Sequence, residues 1–312
     1  MTSLKKGMQL NKQRIGFVGV GLMGGHMSRH LMESGFAVTV YDTDPARVAS
    51  AVTLGAKTVS SPELLADEAD VLIFSLPNSD IVYDVVQNHL QLFERGRPGL
   101  IVLDATTADP EKSAQMALAL EKKGIDFLDC TVSGTSEMCA VKDIIFMAGG
   151  KHSAFVQCEN LFAAMGREWM HMGASGSGAI MKLCVNLVLG LNRMALAEGL
   201  TLARKAGIEP LQALEVLKKS AAFSKIMDQK GYRMVEKRFH PPAGKLRIYL
   251  KDVRAMLSLG ERLNCPLPLI GFHAQALASE VSKGRGEWDS ADIISFYDEL
   301  AGYPPPKDPS EK

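Results

Sequence analysis

Lys182 and Asn186 stand four residues apart in a segment that is otherwise apolar, with Ile180, Met181, Leu183, Cys184, Val185, Leu187, Val188 and Leu189 around them. Residues four apart share a helix face, so the pair would present an amine and an amide together. Burial in apolar surroundings moves an amine's titration toward the working range of a proton carrier. An amide offers a donor and an acceptor without adding charge. The competing reading is a lysine near a helix end that snorkels its amine to water, and the pair alone does not choose. No proline interrupts residues 179–205 and Gly207 stands just beyond, which predicts one helix of about 40 Å. Its first half is apolar on nearly every side, which predicts an interior position.

A second constellation is Gly19-Val-Gly21-Leu22-Met23-Gly24. The apolar run 14–19 precedes it and a helical stretch to Ser34 follows, the setting a dinucleotide-binding turn requires. Gly19 would make the turn, Gly21 would admit a pyrophosphate to the backbone, and Gly24 would let helix and strand pack closely. The phosphates would sit at the helix N-terminus. Asp42 ends the next strand 23 residues after Gly19, where a carboxylate takes ribose hydroxyls and repels a 2′-phosphate. That predicts NAD, with NADP disfavoured. An Asx turn before Asp44-Pro45 is the other reading of Asp42, compatible with the same role. His26 and His30 lie four apart without a third ligand at useful spacing and read as structural, so no metal is expected. Lys251-Asp252, by spacing alone, reads as a solvated charge pair.

Strand-like and helix-like segments alternate around these residues. Runs 14–19, 37–42, 56–60, 70–76, 99–104 and 126–132 read as strands, and Asp44-Pro45, Ser61-Pro62 and Asp109-Pro110 open helices between them. This is the spacing of βαβ units and predicts a parallel sheet with helices on both faces. Segments 144–147 and 168–172 look like two further strands around a helix near 153–165. Beyond the long helix only helices are predicted, over 211–219, 225–238, 245–263, 269–283 and 290–301. The expected organisation is an α/β Rossmann-type dinucleotide-binding domain over residues 1–177 and an all-α domain over 178–302 that includes the long interdomain helix. Residues 303–312, rich in proline, read as a disordered tail.

Composition narrows the function classes. Basic and acidic side chains balance at 35 each in 312 residues, so no nucleic-acid partner is expected. Five cysteines form no C-x-x-C and are odd in number, which favours free thiols in a reducing compartment. The stretch MTSLKKGMQLNKQ has charge but no apolar core and is not read as a signal peptide. No consecutive apolar run is long enough to span a bilayer, so no membrane partner is expected. The chain reads as cytoplasmic.

Taken in order, the motifs resemble those of the β-hydroxyacid dehydrogenase family, which includes 3-hydroxyisobutyrate dehydrogenases and tartronate semialdehyde (2-hydroxy-3-oxopropionate) reductases. The resemblance covers residues 14–301. It is carried by Gly19-Val-Gly21-Leu22-Met23-Gly24, Leu76-Pro77, Asp104-Ala-Thr-Thr107-Ala-Asp-Pro110 and Val132-Ser133-Gly134, then by Met147-Ala-Gly149-Gly150, Gly176-Ser-Gly178 to Lys182 and Asn186, and Lys251-Asp252. It implies that Lys182 is the catalytic acid/base and that Asn186 positions substrate beside it. It implies that Ser133 and Gly134 bind the substrate carboxylate, with Thr135 next to them in the expected substrate site, and that Leu76, Pro77, Thr107 and Lys251 line the cofactor, which overturns the solvated reading of Lys251. It also implies a homodimer or homotetramer formed through the helical domain. Thr135, Met138 and Lys142 stand where the family pattern has glycine, and Val185 replaces a second asparagine. These departures leave the reaction class but predict a bulkier loop at the substrate. The expected activity is NAD-dependent interconversion of a small 3-hydroxy acid with its semialdehyde or keto form. Alternatives are a reductase of an imine or of a branched or sulfonated acid, and a non-catalytic nucleotide-binding module; the presence of Lys182 speaks against the last. The chain lacks room for the extended helical domain of 6-phosphogluconate dehydrogenase.

Overall fold

The computed structural model describes residues 13–306; the stretch to residue 12 read above for targeting, and residues 307–312 of the tail, lie outside the described residues. The chain divides into two compact units, one running to Lys182 and one beginning at Leu183.

The first unit is built on strands β1 (Arg14–Val18), β2 (Ala37–Tyr41), β3 (Lys57–Thr58), β4 (Val71–Phe74), β5 (Ile101–Asp104), β6 (Asp126–Ser133), β7 (Ile145–Gly149) and β8 (Glu168–Gly173). They form one sheet in the order β3-β2-β1-β4-β5-β6-β7-β8. Helices α1 (Leu22–Glu33), α2 (Pro45–Thr53), α3 (Pro62–Glu68), α4 (Ser79–Asp84), α5 (Leu92–Arg95), α6 (Pro110–Glu121), α7 (Ser136–Ala140), α8 (His152–Gln157) and α9 (Glu159–Met165) connect them. The strands from β3 to β6 are parallel. Covered on both faces, the central ones read as unbroken apolar runs, and all four residues of β4 are buried. Asp44 and Asp109 accept backbone N–H bonds at the starts of α2 and α6; Ser61 opens α3 without a side-chain cap bond.

The six strands predicted to be parallel are so, and the two further strands, whose direction the sequence left open, add a reversal at the far end. β7 runs antiparallel to β6, and β8 is parallel to β7. A parallel return needs a crossover of a dozen or more residues. Between β6 and β7 the chain has room only for the five-residue α7 and its turns, so it doubles back. Apolar layers cover both faces, Phe17, Met27, Leu31 and Phe162 on one and Leu72, Phe74, Val86 and Leu120 on the other. All five cysteines are free thiols: Cys130, Cys139 and Cys158 are buried in this unit, and Cys184 and Cys265 are exposed in the second.

Helix α10 (Ser177–Lys205) starts in the first unit and continues into the second. The second unit adds α11 (Pro210–Lys219), α12 (Tyr232–Val235), α13 (Leu246–Arg262), α14 (Pro268–Ser282) and α15 (Ile293–Leu300). Its core gathers Leu183, Leu196, Leu200, Leu214, Met234, Leu250, Val253 and Leu277. The helix predicted over 225–238 contains a wider π turn, Met227–Gly231, before α12. There the Lys230 ammonium reaches the wholly buried Asp289 at 2.7 Å.

α10 departs from expectation twice. Ile180, Met181 and Val188 are exposed by 36%, 37% and 55%, so its first half is not enclosed within this chain. Over 18 residues its mean hydropathy of 1.4 also makes it long and apolar enough, by length and composition, to cross a membrane. The count of consecutive apolar residues missed this because Lys182 and Asn186 break the run while the average stays high. The same helix sends Leu183, Leu196 and Leu200 into a protein core, as an interior helix does.

Candidate cofactor and proton-transfer site

β1 feeds the glycine turn, and Gly19 takes the left-handed conformation at φ 88°. A Cβ on Gly24 would lie 1.9 Å from the Gly19 carbonyl oxygen. α1 therefore rests directly on the turn, and only glycine fits there. Gly21 is the N-cap of α1 and no side chain caps that helix start. Backbone N–H groups at an open helix N-terminus favour an anion, so the turn fits a dinucleotide's pyrophosphate. A groove of about 400 Å³ beside it is lined by Gly21, Leu22, Arg29 and Arg47, among others. Leu22 is 80% exposed, whereas Met23 packs against the core.

Asp42 is turned inward. One carboxylate oxygen accepts from the Val20 N–H at 2.8 Å and the other from the Asp44 N–H at 2.9 Å, which ties the end of β2 to the turn. The Asx-turn reading thus holds, and the carboxylate keeps lone pairs beyond these two bonds. Arg47 lies alongside, 3.9 Å from the Asp42 carboxylate and 3.2 Å from that of Asp44. At the next strand ends the Leu76 N–H donates to the Thr106 hydroxyl at 3.1 Å, and the Thr106 N–H donates to Asp104 at 3.0 Å. Thr106 is buried, while Pro77 and Thr107 are exposed at the same edge. Burial pushes the Asp104 carboxyl up to about 7.

Three residues of β6 hold the start of α10. Asp129, wholly buried, accepts from the Gly176 N–H at 2.7 Å and the Ala179 N–H at 2.9 Å. The Thr131 hydroxyl donates to the Gly178 carbonyl at 2.8 Å. The Lys182 ammonium donates to the Val132 carbonyl at 2.7 Å. A Cβ on Gly178 would meet the Asp129 carbonyl at 2.2 Å, so the Gly-Ser-Gly start of the helix is what lets it approach the strand. Burial raises the Asp129 carboxyl while the Gly176 and Ala179 donors hold it down. The result sets the Lys182 amine on the residue before Ser133 and Gly134. Sequence reasoning missed Asp129; its signal was an acid inside the buried run Phe127-Leu-Asp-Cys130, a place where carboxylates are rare unless paired.

The loop after Gly134 folds into α7. The Thr135 hydroxyl accepts from the Met138 N–H and caps α7. Met138 packs against the core of the first unit, and the Glu33 carboxyl is lowered chiefly by its bond to His30 and least by the charge of Lys142. Of the three departures in this loop, Thr135 stands nearest in the chain to the end of β6. His30 bonds the Cys139 carbonyl at 2.9 Å and Glu33 at 3.2 Å, and no metal-ligand cluster occurs among the described residues.

In the second unit, the half-buried Asn186 has its backbone carbonyl accepting from the Tyr249 hydroxyl at 3.0 Å. The buried Arg193 guanidinium lies over the Tyr249 ring, 4.6 Å from its centre. Lys251 is exposed on α13, 3.6 Å from Asp252.

Residues 14–173 match the family model described as the NAD binding domain of 6-phosphogluconate dehydrogenase. Residues 176–297 match the one described as NAD-binding of NADP-dependent 3-hydroxyisobutyrate dehydrogenase. The chain is 28% identical to 2-(hydroxymethyl)glutarate dehydrogenase of Eubacterium barkeri, over 93% of this chain and 96% of that one. It is 30% identical to glyoxylate/succinic semialdehyde reductase 1 of Arabidopsis thaliana, over 90% and 96%. The crystal structure of a 3-hydroxyisobutyrate dehydrogenase from Salmonella typhimurium shares the fold at a TM-score of 0.80 and 24% identity, covering 91% of this chain and 99% of that one.

Proposed function

The chain belongs to the β-hydroxyacid dehydrogenase family and is an oxidoreductase with nicotinamide dinucleotide-binding domains; from that premise we propose that it interconverts a small 3-hydroxy acid with its semialdehyde or keto form, Lys182 carrying the proton. The observation that supports this most is the Lys182 ammonium held 2.7 Å from the Val132 carbonyl, one residue before Ser133. When bound, the nicotinamide supplies the hydride chemistry. Lys182 would take the proton from the substrate hydroxyl on oxidation and return it on reduction. The Val132 carbonyl holds the amine at the strand end until the substrate oxygen competes for it. Ser133, Gly134 and Thr135 are proposed to meet the substrate carboxylate, and Asn186 to orient the reacting oxygen without adding charge. Leu76, Pro77, Thr107 and Lys251 are proposed to line the cofactor.

NAD is the proposed cofactor, on the ground of the carboxylate at Asp42. A second reading, NADP, is favoured by one observation: the guanidinium of Arg47, on α2, stands beside both Asp42 and Gly21 and could neutralise a 2′-phosphate. The exposed apolar residues Ile180, Met181, Cys184 and Val188 along α10 support a homodimer or homotetramer, and a monomeric mass in sedimentation would remove that proposal. The five free thiols support a cytoplasmic setting. A panel of short hydroxy acids, each assayed with NAD and with NADP, tests the main reading. The expected result is turnover of 3-hydroxy acids with the higher kcat/KM on NAD. No turnover of any hydroxy acid with either cofactor would overturn the activity, and a preference for NADP would overturn the role given to Asp42.

A further inference from the structure

A cavity of about 430 Å³ lies in the first unit, between α4, α5 and α6 and the ends of β5 and β6. That is the size of a small-molecule site. Tyr83, Phe93, Met116 and Phe127 make its apolar wall, and Asp104 and Ser113 line it as well. Gly19, Gly21, Gly24, Asp42, Leu76, Pro77 and Thr107 do not, so it is separate from the residues proposed for the cofactor. Two features set it apart from a packing gap. Asp104 is 2% exposed, a carboxyl with no basic side chain within ion-pair distance among the described residues. Ser113 is 3% exposed, and its hydroxyl has no hydrogen-bond partner among the described residues. Proteins rarely leave a buried hydroxyl unpaired. The cation lining the cavity, Lys112, is engaged by Asp80. What remains is an acceptor-rich pole in an aromatic chamber.

We propose that this cavity is a second ligand site and that it takes a primary amine on a compact apolar body, the ammonium bonding Asp104 and Ser113 and the body lying among Tyr83, Phe93, Met116 and Phe127. An ammonium among aromatic faces gains from their negative quadrupoles as well. The site has a route to the cofactor edge. Asp104 holds the Thr106 N–H, Thr106 holds the Leu76 N–H, and Thr107 is the next residue. An occupant that draws on the Asp104 carboxylate therefore acts on the strand ends where the dinucleotide is proposed to lie. Binding itself does not depend on the proposed activity; only this coupling does.

The site has a defined pH sense. Asp104 faces Thr106 on its own strand end and the like charge of Asp129 on β6, with Lys112 of α6 and Asp80 of α4 also lining the cavity. Burial pushes the carboxyl up to about 7. An aliphatic amine stays charged to about pH 10, so its binding should tighten as Asp104 ionises. A ligand that accepted a proton bond from the neutral acid would loosen instead.

The test is calorimetric titration of the full chain with 2-phenylethylamine and with its uncharged twin, 2-phenylethanol, at about pH 6 and about pH 8. The amine should bind saturably, one per chain, tighten with rising pH, and exceed the alcohol by roughly tenfold or more. Asp104→Asn should weaken the amine by roughly 10- to 100-fold. Ala119→Phe, which fills the cavity and leaves Asp104 in place, should abolish binding and carries the test if Asp104→Asn does not fold. Absence of binding, equal binding of amine and alcohol, survival of binding in Ala119→Phe, or weakening with rising pH would each overturn the site. A failure of the hydroxy-acid panel would leave these outcomes unchanged, so the two readings fail separately.

Discussion

The side chain with most at stake is Lys182, whose amine is held by a backbone carbonyl of β6. Lys182→Met keeps the stem's volume and removes the amine, so folding and dinucleotide binding should persist. Turnover should fall by roughly 10²- to 10⁴-fold, as for a lost general acid/base. kcat and kcat/KM should fall together, and Asn186→Ala should cost less because it orients and carries no proton. Near-normal turnover of Lys182→Met would favour a purely structural lysine. A second residue links charge to stability. Burial pushes the Asp292 carboxyl up to about 7, and one of its oxygens has no partner among the described residues. Its folded titration lies above the unfolded one, so its contribution is fully present below the ordinary carboxyl range and is lost as pH rises through about 7. Asp104 acts in the same sense. Asp292→Asn should flatten the loss of stability between about pH 4 and pH 7; urea midpoints that fall as steeply in the variant as in the parent would refute the assignment.

Among the elements, β6 acts as the ruler for α10. Asp129, Thr131 and Val132 fix the helix start by its N–H groups, a carbonyl and the lysine itself. Asp129→Asn offers one acceptor where two donors wait and turns an NH₂ toward the other. That should cost about 1–3 kcal/mol and, through a displaced amine, roughly 10- to 100-fold in kcat, with dinucleotide affinity kept. Unchanged kcat in a destabilised Asp129→Asn would mean that the anchor serves stability alone. This anchor was not legible in the chain order, because its donors lie 47 and 50 residues beyond the acid. The glycine turn was legible, because strand, turn and helix are contiguous. The direction of β7 was not read, since an apolar run identifies a strand and leaves its sense to the length of the connection. Met138 illustrates the same limit: a family pattern marks it as bulk, and does not tell that one short helix sets it, half-buried, against the core of the first unit.

For the whole molecule, the α/β unit and the helical unit were legible as a change of rhythm, from alternating strands and helices to helices alone. Each has its own apolar core. The exposure of α10 was not legible, because apolar content alone does not say which protein surface covers a helix. The placement of the thiols follows the division into units: the three shielded ones all belong to the first, and the two open ones to the second. Chemical labelling therefore becomes a reporter of one half of the chain. A maleimide reagent should consume Cys265 at once, Cys184 as fast only where no second copy covers α10, and the remaining three thiols only as the sheet opens. The slow phase then clocks sub-global opening of the dinucleotide-binding half by itself, whatever the helical half is doing, and a dinucleotide that binds the glycine turn should stretch that phase while leaving the fast one alone.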